Sequence, residues 1–181
     1  MFTLVHDDGY LLSTDSRRLD LDRVHRWLST DAYWALGRDR ETVGRAFAGS
    51  IAFGVYRPGD GRQVAVARAV TDGATFAWLC DVYVDPGERG HGLGTWLAGA
   101  ARDHLTELGV RRILLTTLDA HGVYAKVGFA PVDPDHFMQL DQRGRPVTPD
   151  GAATMTAVGD ALVAPTTRKE LEGPAPLTVE A

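Results

Sequence analysis

The stretch Glu88-Arg89-Gly90-His91-Gly92-Leu93-Gly94-Thr95 carries the strongest structural signal in this chain. It follows an apolar run that ends at Val84 and precedes a segment with apolar residues at helical spacing. Its glycines let successive backbone N–H groups turn toward one point, and the helix behind adds the positive end of its dipole. The stretch therefore predicts a strand-to-helix turn that binds an anion such as a phosphate.

The spacing of the glycines separates the ligand classes that use such turns. A nucleoside-triphosphate loop requires a Gly-Lys pair, and none follows here. The dinucleotide fingerprint Gly-x-Gly-x-x-Gly would begin at Gly90, but its third glycine would fall on Thr95. Both classes are disfavoured, and on this stretch alone an ordinary glycine-rich turn remains the alternative.

Periodicity around this turn predicts a mixed α/β (α+β) sheet with helices on both faces. The turn signal Pro58-Gly59-Asp60-Gly61 predicts a hairpin, and the strand, helix, strand order around the glycine-rich stretch predicts two parallel strands. Predicted helices cover Asp20–Ser29, Asp39–Ser50, Trp96–Leu108 and Ala120–Val127. Predicted strands cover Ile51–Tyr56, Gln63–Val70, Thr75–Val84 and Arg112–Thr116, with further strands near Phe129 and over Phe137–Leu140.

Length and composition limit the class of protein. The 181 residues allow one domain with length to spare, which we place at 1–140, followed by a Gly-, Pro- and Thr-rich tail or appendage of unknown role at 141–181. A formal charge of −5 argues against a nucleic-acid binder. A single cysteine excludes an internal disulfide and a Cys-rich zinc site, and we expect no metal. Without a leader or a long apolar run, we expect a soluble cytoplasmic protein that does not bind membranes.

Two linked motifs resemble the GNAT superfamily of N-acetyltransferases. Arg89-Gly90-His91-Gly92-Leu93-Gly94 is similar to the Arg/Gln-x-x-Gly-x-Gly/Ala signature, and Val84-Asp85-Pro86 to the strand ending before it. The segment Thr117–Phe129 resembles Asn-x-x-Ala-x-x-Leu-Tyr-x-Lys-x-Gly-Phe but has Thr117 where the family often has Asn. The resemblance covers roughly Phe2 to Leu140. It implies the GNAT fold and an acyltransferase that moves an acetyl group from acetyl-CoA to a primary amine by direct transfer in a ternary complex.

The resemblance also implies roles for residues of this chain. The acceptor would be a small molecule such as an amino acid or a polyamine, and a homodimer is plausible. Tyr124 matches the tyrosine that often protonates the departing thiolate, and a phenol with a reference pKa of ~10 suits that step; a core tyrosine is the alternative. The backbone of Val82, Tyr83 and Val84 would pair with pantetheine and polarise the thioester. The pyrophosphate would lie on Arg89, Gly90, His91, Gly92, Leu93, Gly94 and Thr95.

The general base is open between several residues. Asp81 lies where polyamine acetyltransferases, which this stretch resembles, carry acidic residues near the acceptor amine. Strand alternation puts Leu79, Asp81 and Tyr83 on one face. The Asp81 carboxylate is either a base near the acceptor or the partner of an arginine on a neighbouring strand. His121 and His91 are alternatives, because a reference pKa of ~6.5 suits a base at neutral pH.

Aromatic and charged residues of the N-terminal helices and the hairpin are the candidates for acceptor binding: Tyr33, Trp34, Arg38 and Phe53, with Asp81 and His121. Arg38 bound to a substrate carboxylate would favour an amino acid or peptide over a polyamine. Trp27 and Cys80 are interpreted as packing residues. Two other functions remain open, a non-catalytic acyl-CoA binding or sensing module and a nucleotide-binding protein.

Overall fold

The computed structural model describes residues 1–140. The chain divides into two compact units, Met1–His136 and Phe137–Ala181. Of the second unit the structure describes Phe137–Leu140, which have no regular secondary structure. The predicted tail at 141–181 lies outside the described residues.

The first unit is a six-stranded sheet with helices packed on it. The strand order is β1-β2-β3-β4-β5-β6, and every neighbouring pair is antiparallel except β5 and β6, which are parallel. The elements are β1 (Thr3–Val5), β2 (Leu11–Ser13), α1 (Leu21–Thr30), α2 (Arg40–Ala48), β3 (Ile51–Tyr56), β4 (Gln63–Thr71), β5 (Phe76–Val84), α3 (Leu93–Glu107), β6 (Arg112–Leu114) and α4 (His121–Ala125). The predicted hairpin, parallel pair and mixed sheet are confirmed.

Side-chain caps and glycines define the helix ends. The Asp20 and Asp39 carboxylates accept from the N–H groups of Arg23 and Thr42. Each aspartate therefore caps the helix that the sequence predicts to start at its position. After α3 the chain turns at Gly109, whose φ of +96° is in the left-handed region that glycine tolerates. Capping residues and glycines thus explain why these boundaries follow from the sequence.

Two cores lie on opposite faces of the sheet, because residues alternate along β3: Phe53 belongs to one core and Ala52 to the other. Leu93, Leu97 and Leu105 of α3 are fully buried in the first. In the second, α1 and α2 supply buried Val24, Leu28, Val43 and Phe47. Each of these side chains contributes about 1.5–3 kcal/mol by leaving water. The prediction of helices on both faces is confirmed.

Several predicted elements are wrong. The strand near Phe129 does not form, because the Tyr124 carbonyl accepts from the N–H groups of Val127 and Phe129 and winds this segment into a turn after α4. Phe137–Leu140 is not a strand either, because these residues have no regular secondary structure. In contrast, β1 and β2 were not predicted: each has three residues, too few for a clear alternation. Among residues 1–140 no helix combines the length and apolarity needed to cross a membrane.

Candidate active site

The parallel pair of strands opens before β5 ends. β5 has nine residues, but its pairing with β6 stops at Trp78 opposite Leu114. From Leu79 to Val84, β5 has no strand on that side in the described part of the chain. We call Leu79–Val84 the open edge. Unpaired backbone groups at such an edge can bind an extended ligand in the manner of an added strand.

A β-bulge interrupts the open edge at Asp81. Arg68 of β4 lies opposite Cys80 and Val66 opposite Tyr83, so one residue of β4 faces two of β5. Asp81 has a φ of +51°, a conformation that aspartate tolerates better than most residues. The predicted common face of Leu79, Asp81 and Tyr83 is therefore wrong. Leu79 packs in the α3-side core and Tyr83 in the α1/α2-side core, because the bulge shifts the alternation by one residue.

The glycine-rich loop after β5 presents a row of unused backbone donors. The first intrahelical bond of α3 runs from the Trp96 N–H to the Gly92 carbonyl, and within residues 1–140 the N–H groups of 90–95 have no acceptor. Gly90 and Gly92 have φ of +90° and +73°, in the left-handed region that glycine tolerates, and the N-cap residue Gly92 has no side chain that could cap the helix. Amide groups at the positive end of a 15-residue helix suit a pyrophosphate.

Buried polar contacts that no sequence motif indicates hold this loop in place. Glu88 is a buried residue, and its carboxylate accepts from the Tyr10 hydroxyl at 2.6 Å and from Arg57 Nη1 at 3.1 Å. The hydrogen bond to Glu88 raises the pKa of Tyr10. The Arg89 side chain donates from Nε to the Val84 carbonyl at 3.0 Å, and its Nη2 lies 3.4 Å from Asp31. These contacts therefore connect the loop to the end of β5, to the residues next to β2 and β3, and to the residue after α1.

Tyr124 lies half-buried on α4 with its ring edge-on to Phe129, 5.9 Å between centroids. Its hydroxyl has no hydrogen-bond partner in the described region, which leaves it available to a ligand. Burial, with smaller contributions from Tyr33 and Asp119, raises the pKa of Tyr124 to about 12. The phenol is thus protonated at neutral pH. Thr117, where the family often has Asn, accepts from the Ala120 N–H at 3.0 Å, one residue before α4 begins.

Asp81 forms a buried ion-pair network, as in the interpretation that it is the partner of an arginine on a neighbouring strand. Arg68 Nε donates to Oδ2 at 2.6 Å, and Arg38 Nη1 donates to both oxygens at 3.2 and 3.0 Å. Trp34 Nε1 donates to Oδ1 at 3.1 Å. Each oxygen accepts two hydrogen bonds, which uses the acceptor capacity of a carboxylate. A lone arginine in the apolar strand QVAVARAV was the sequence signal for Arg68.

The segment between α1 and α2 brings three predicted acceptor residues to one place. Tyr33 and Trp34 pack edge-to-face at 4.9 Å. Trp34 contacts Asp81 on β5, while the Tyr33 hydroxyl accepts from the Leu118 N–H beyond β6 at 3.1 Å. Arg38 follows on the same segment. Adjacent residues therefore reach both sides of the opening between β5 and β6.

The remaining residues singled out from the sequence lie outside the segment between α1 and α2. Phe53 is fully buried in the α3-side core, 5.9 Å from the His104 ring, so the prediction that it contacts the acceptor is wrong. His91 and His121 are exposed on the loop and at the start of α4. Trp27 stacks on Tyr83 at 5.2 Å, as expected of a packing residue. Burial raises the pKa of Cys80 to about 11, so its sulfur is a thiol at neutral pH.

A parallel strand pair that opens ahead of an amide-lined loop defines the acyl-transferring class of protein implied by the two motifs. The Acetyltransferase (GNAT) family profile matches residues 21–129. A Gibberella zeae protein named as an acetyltransferase, FG08082, is 33% identical over 135 residues, 65% of this chain and 76% of that protein. The chain belongs to the GNAT family and is an acetyltransferase.

Solved structures agree with this assignment. A crystal structure from Xanthomonas campestris pv. campestris, assigned to the GNAT family, has a TM-score of 0.69 and 43% identity, covering 74% of this chain and 93% of that one. A Clostridium acetobutylicum acetyltransferase structure with acetyl-CoA has a TM-score of 0.58 and 18% identity, covering 74% and 95% of the two chains, and shows the fold alone. GNAT acetyltransferases use acetyl-CoA as the acetyl donor.

Proposed function

We propose that this acetyltransferase moves the acetyl group of acetyl-CoA to the primary amine of a small molecule by direct transfer in a ternary complex. The observation that carries the proposal is the continuity between the open edge of β5 and the loop of unused N–H groups. An extended chain with a diphosphate at one end needs backbone partners along its length and an anion site at its end.

The residues present fit that donor. Backbone groups of Val82, Tyr83 and Val84 would hold the pantetheine arm and polarise the thioester carbonyl, and loop residues 89–95 would hold the pyrophosphate. The bound donor supplies an activated acetyl group. The bulge at Asp81 supports this role, because it withdraws backbone groups from the β4–β5 ladder beside Val82.

Tyr124 is proposed as the general acid. As the new C–N bond forms and the C–S bond breaks, the sulfur leaves as a thiolate, and the Tyr124 hydroxyl gives it a proton. The raised pKa keeps the phenol protonated at neutral pH, so its O–H is in place as a donor when negative charge develops on the sulfur. The site then takes a proton back from solvent.

The amine must lose a proton before or during transfer. We assign this proton to water, because the oxygens of Asp81 are filled by Trp34, Arg38 and Arg68. His121, exposed at the start of α4, is the other acceptor of this proton. The pH profile of a His121→Ala variant separates them: an unchanged profile supports water, and loss of one limb of the profile supports His121.

Direct transfer is favoured over an acyl-enzyme. Cys80 is the single cysteine of the chain, and its raised pKa keeps it a poor nucleophile. Initial-velocity lines at several donor concentrations should therefore intersect, and Cys80→Ala should retain turnover. Parallel lines together with an inactive Cys80→Ala variant would establish a covalent route instead.

The test of the proposed function is thiol release from acetyl-CoA with a panel of amines. Turnover with an amine supports the enzyme, whereas donor binding without release on any amine supports the sensing module. Tyr124→Phe should lower kcat by about 10²-fold or more and leave donor binding nearly unchanged. Tyr56→Phe is the matched control, since its hydroxyl is buried on β3, two strands from β5. Stabilisation by ATP or NAD rather than acetyl-CoA in a thermal shift assay would support the nucleotide-binding alternative.

A further inference from the structure

The network around Asp81 contains more positive than negative charge. Arg38 and Arg68 both contact the Asp81 carboxylate, at 3.0 and 2.6 Å, so two guanidinium groups share one carboxylate. The side chains of Arg38, Arg68 and Asp81 are 23%, 14% and 2% exposed. Within the described residues neither arginine has a second carboxylate within 4.0 Å. One positive charge thus remains in a partly buried site, where an unpaired charge is costly.

Arg38 also has unused donors. Its contacts with Asp81 both come from Nη1, and in residues 1–140 its Nε and Nη2 have no hydrogen-bond acceptor. These two groups form one planar edge of the guanidinium, which matches the two oxygens of a carboxylate. The Asp81 carboxylate holds Nη1 of Arg38 and is itself held by the Trp34 indole N–H. The free edge is therefore positioned before any ligand arrives.

This free edge lies beside the proposed acetyl-transfer site. Asp81 is the bulged residue of the open edge, one position from Val82. Arg38 belongs to the segment whose Tyr33 reaches Leu118 beyond β6, so it stands at the opening between the strands. An anionic group of the acceptor held at Arg38 would place the rest of the acceptor at this opening.

We infer that the acceptor carries a carboxylate near its amine, as amino acids do, and that the Nε–Nη2 edge of Arg38 binds that carboxylate. Arg68 contributes the second positive charge, and Asp81 positions both guanidinium groups. This inference rests on the proposed function for the reaction, but its binding step does not require turnover. A polyamine brings only positive charge to a site with an excess of positive charge, so it is disfavoured.

Matched pairs of acceptors test the inference. L-amino acids are compared with their C-terminal amides, which keep the amine and shape but lack the charge, and with spermidine and O-phosphoethanolamine. A charge-assisted bidentate contact predicts kcat/KM about 10- to 100-fold higher for the acids. Arg38→Gln should remove this preference mainly through KM, so that acids and amides react with similar kcat/KM. Arg38→Lys should recover part of it, since lysine keeps the charge but not the planar edge.

Arg40→Gln is the matched control, because Arg40 pairs with Asp22 on the surface at 2.7 Å and should leave the preference intact. Equal rates for acids and amides, or a preference for spermidine or O-phosphoethanolamine, would overturn the inference while the proposed function stands. Calorimetric binding of N-acetyl amino acids is a second readout. Binding that Arg38→Gln weakens at least 10-fold supports the inference even without turnover, and Arg38-independent binding overturns it.

Discussion

Replacing Asp81 by Asn separates a positioning residue from a general base. The carboxylate accepts from Trp34 and Arg38 at Oδ1 and from Arg38 and Arg68 at Oδ2. An asparagine presents an NH₂ group at one of these two positions. Whichever way the amide turns, a donor then faces donors of a guanidinium or an indole. The substitution therefore breaks the network rather than weakening one bond.

The magnitude follows from burial. Removing one partner of a buried ion pair costs about 3–5 kcal/mol, and the partial exposure of Arg38 and Arg68 places this case near the lower end. We expect Asp81→Asn to lower the free energy of unfolding by about 3 kcal/mol and Tm by roughly 10 °C. Asp22→Asn is the control, because its pair with Arg40 is exposed and contributes at most about 1 kcal/mol.

Denaturant unfolding and the pH dependence of kcat/KM are the two assays. A positioning role predicts lost stability, a raised KM for the acceptor and an unchanged pH profile. A catalytic base predicts near-normal stability and a kcat reduced about 10²- to 10⁴-fold that recovers at high pH, where the amine is already neutral. The second pattern would refute the assignment of Asp81 to the ion-pair network.

Three further predictions concern the loop, the core and a histidine. Gly90 and Gly59 have φ of +90° and +88° with open space around a new methyl group, so Gly90→Ala and Gly59→Ala should each lower the free energy of unfolding by about 1–2 kcal/mol. Only Gly90→Ala should raise the Kd of acetyl-CoA in calorimetry. Equal acetyl-CoA affinities of the two variants would contradict a role of the loop in donor binding. Tyr56→Phe should stabilise the protein by about 1 kcal/mol in denaturant unfolding, because it removes a buried hydroxyl without a partner among the described residues; a loss of stability would reveal a partner. Burial lowers the pKa of His104, so on acidification the unfolded chain binds a proton at His104 before the folded protein does. The free energy of unfolding should therefore fall as the pH drops through about 6.5. His104→Gln should reduce the difference in Tm between pH 7.5 and 5.5, and an unchanged difference would contradict this prediction.

Local signals explain how much of the fold the sequence predicts. Asp20 and Asp39 cap their helices and Pro58–Gly61 forms its turn, so those boundaries depend on a few neighbouring residues. β1 and β2 are stabilised instead by pairing in the sheet, which no short window shows. The strand expected near Phe129 is lost for the converse reason, since hydrogen bonds to the Tyr124 carbonyl shape that segment.

The candidate site also has one part that contiguous motifs predict and another that depends on how the strands pair. The loop and Tyr124 belong to contiguous motifs, so their positions before α3 and on α4 follow from the sequence. The bulge at Asp81 depends on the register between β4 and β5, so a rule of simple alternation misassigned its face. The partners of Asp81 come from a loop and a neighbouring strand, 43 and 13 positions away. Such contacts exist only once the sheet has formed.

The most direct test of the central claim is a mass balance under acetyl-CoA with an amino-acid acceptor. We predict equal amounts of free thiol and N-acetylated acceptor, measured by thiol titration and mass spectrometry, with the rate reduced about 10²-fold or more in Tyr124→Phe and unchanged in Tyr56→Phe. Thiol release without an acetylated acceptor, or a Tyr124→Phe rate equal to wild type, would contradict the proposed transfer mechanism.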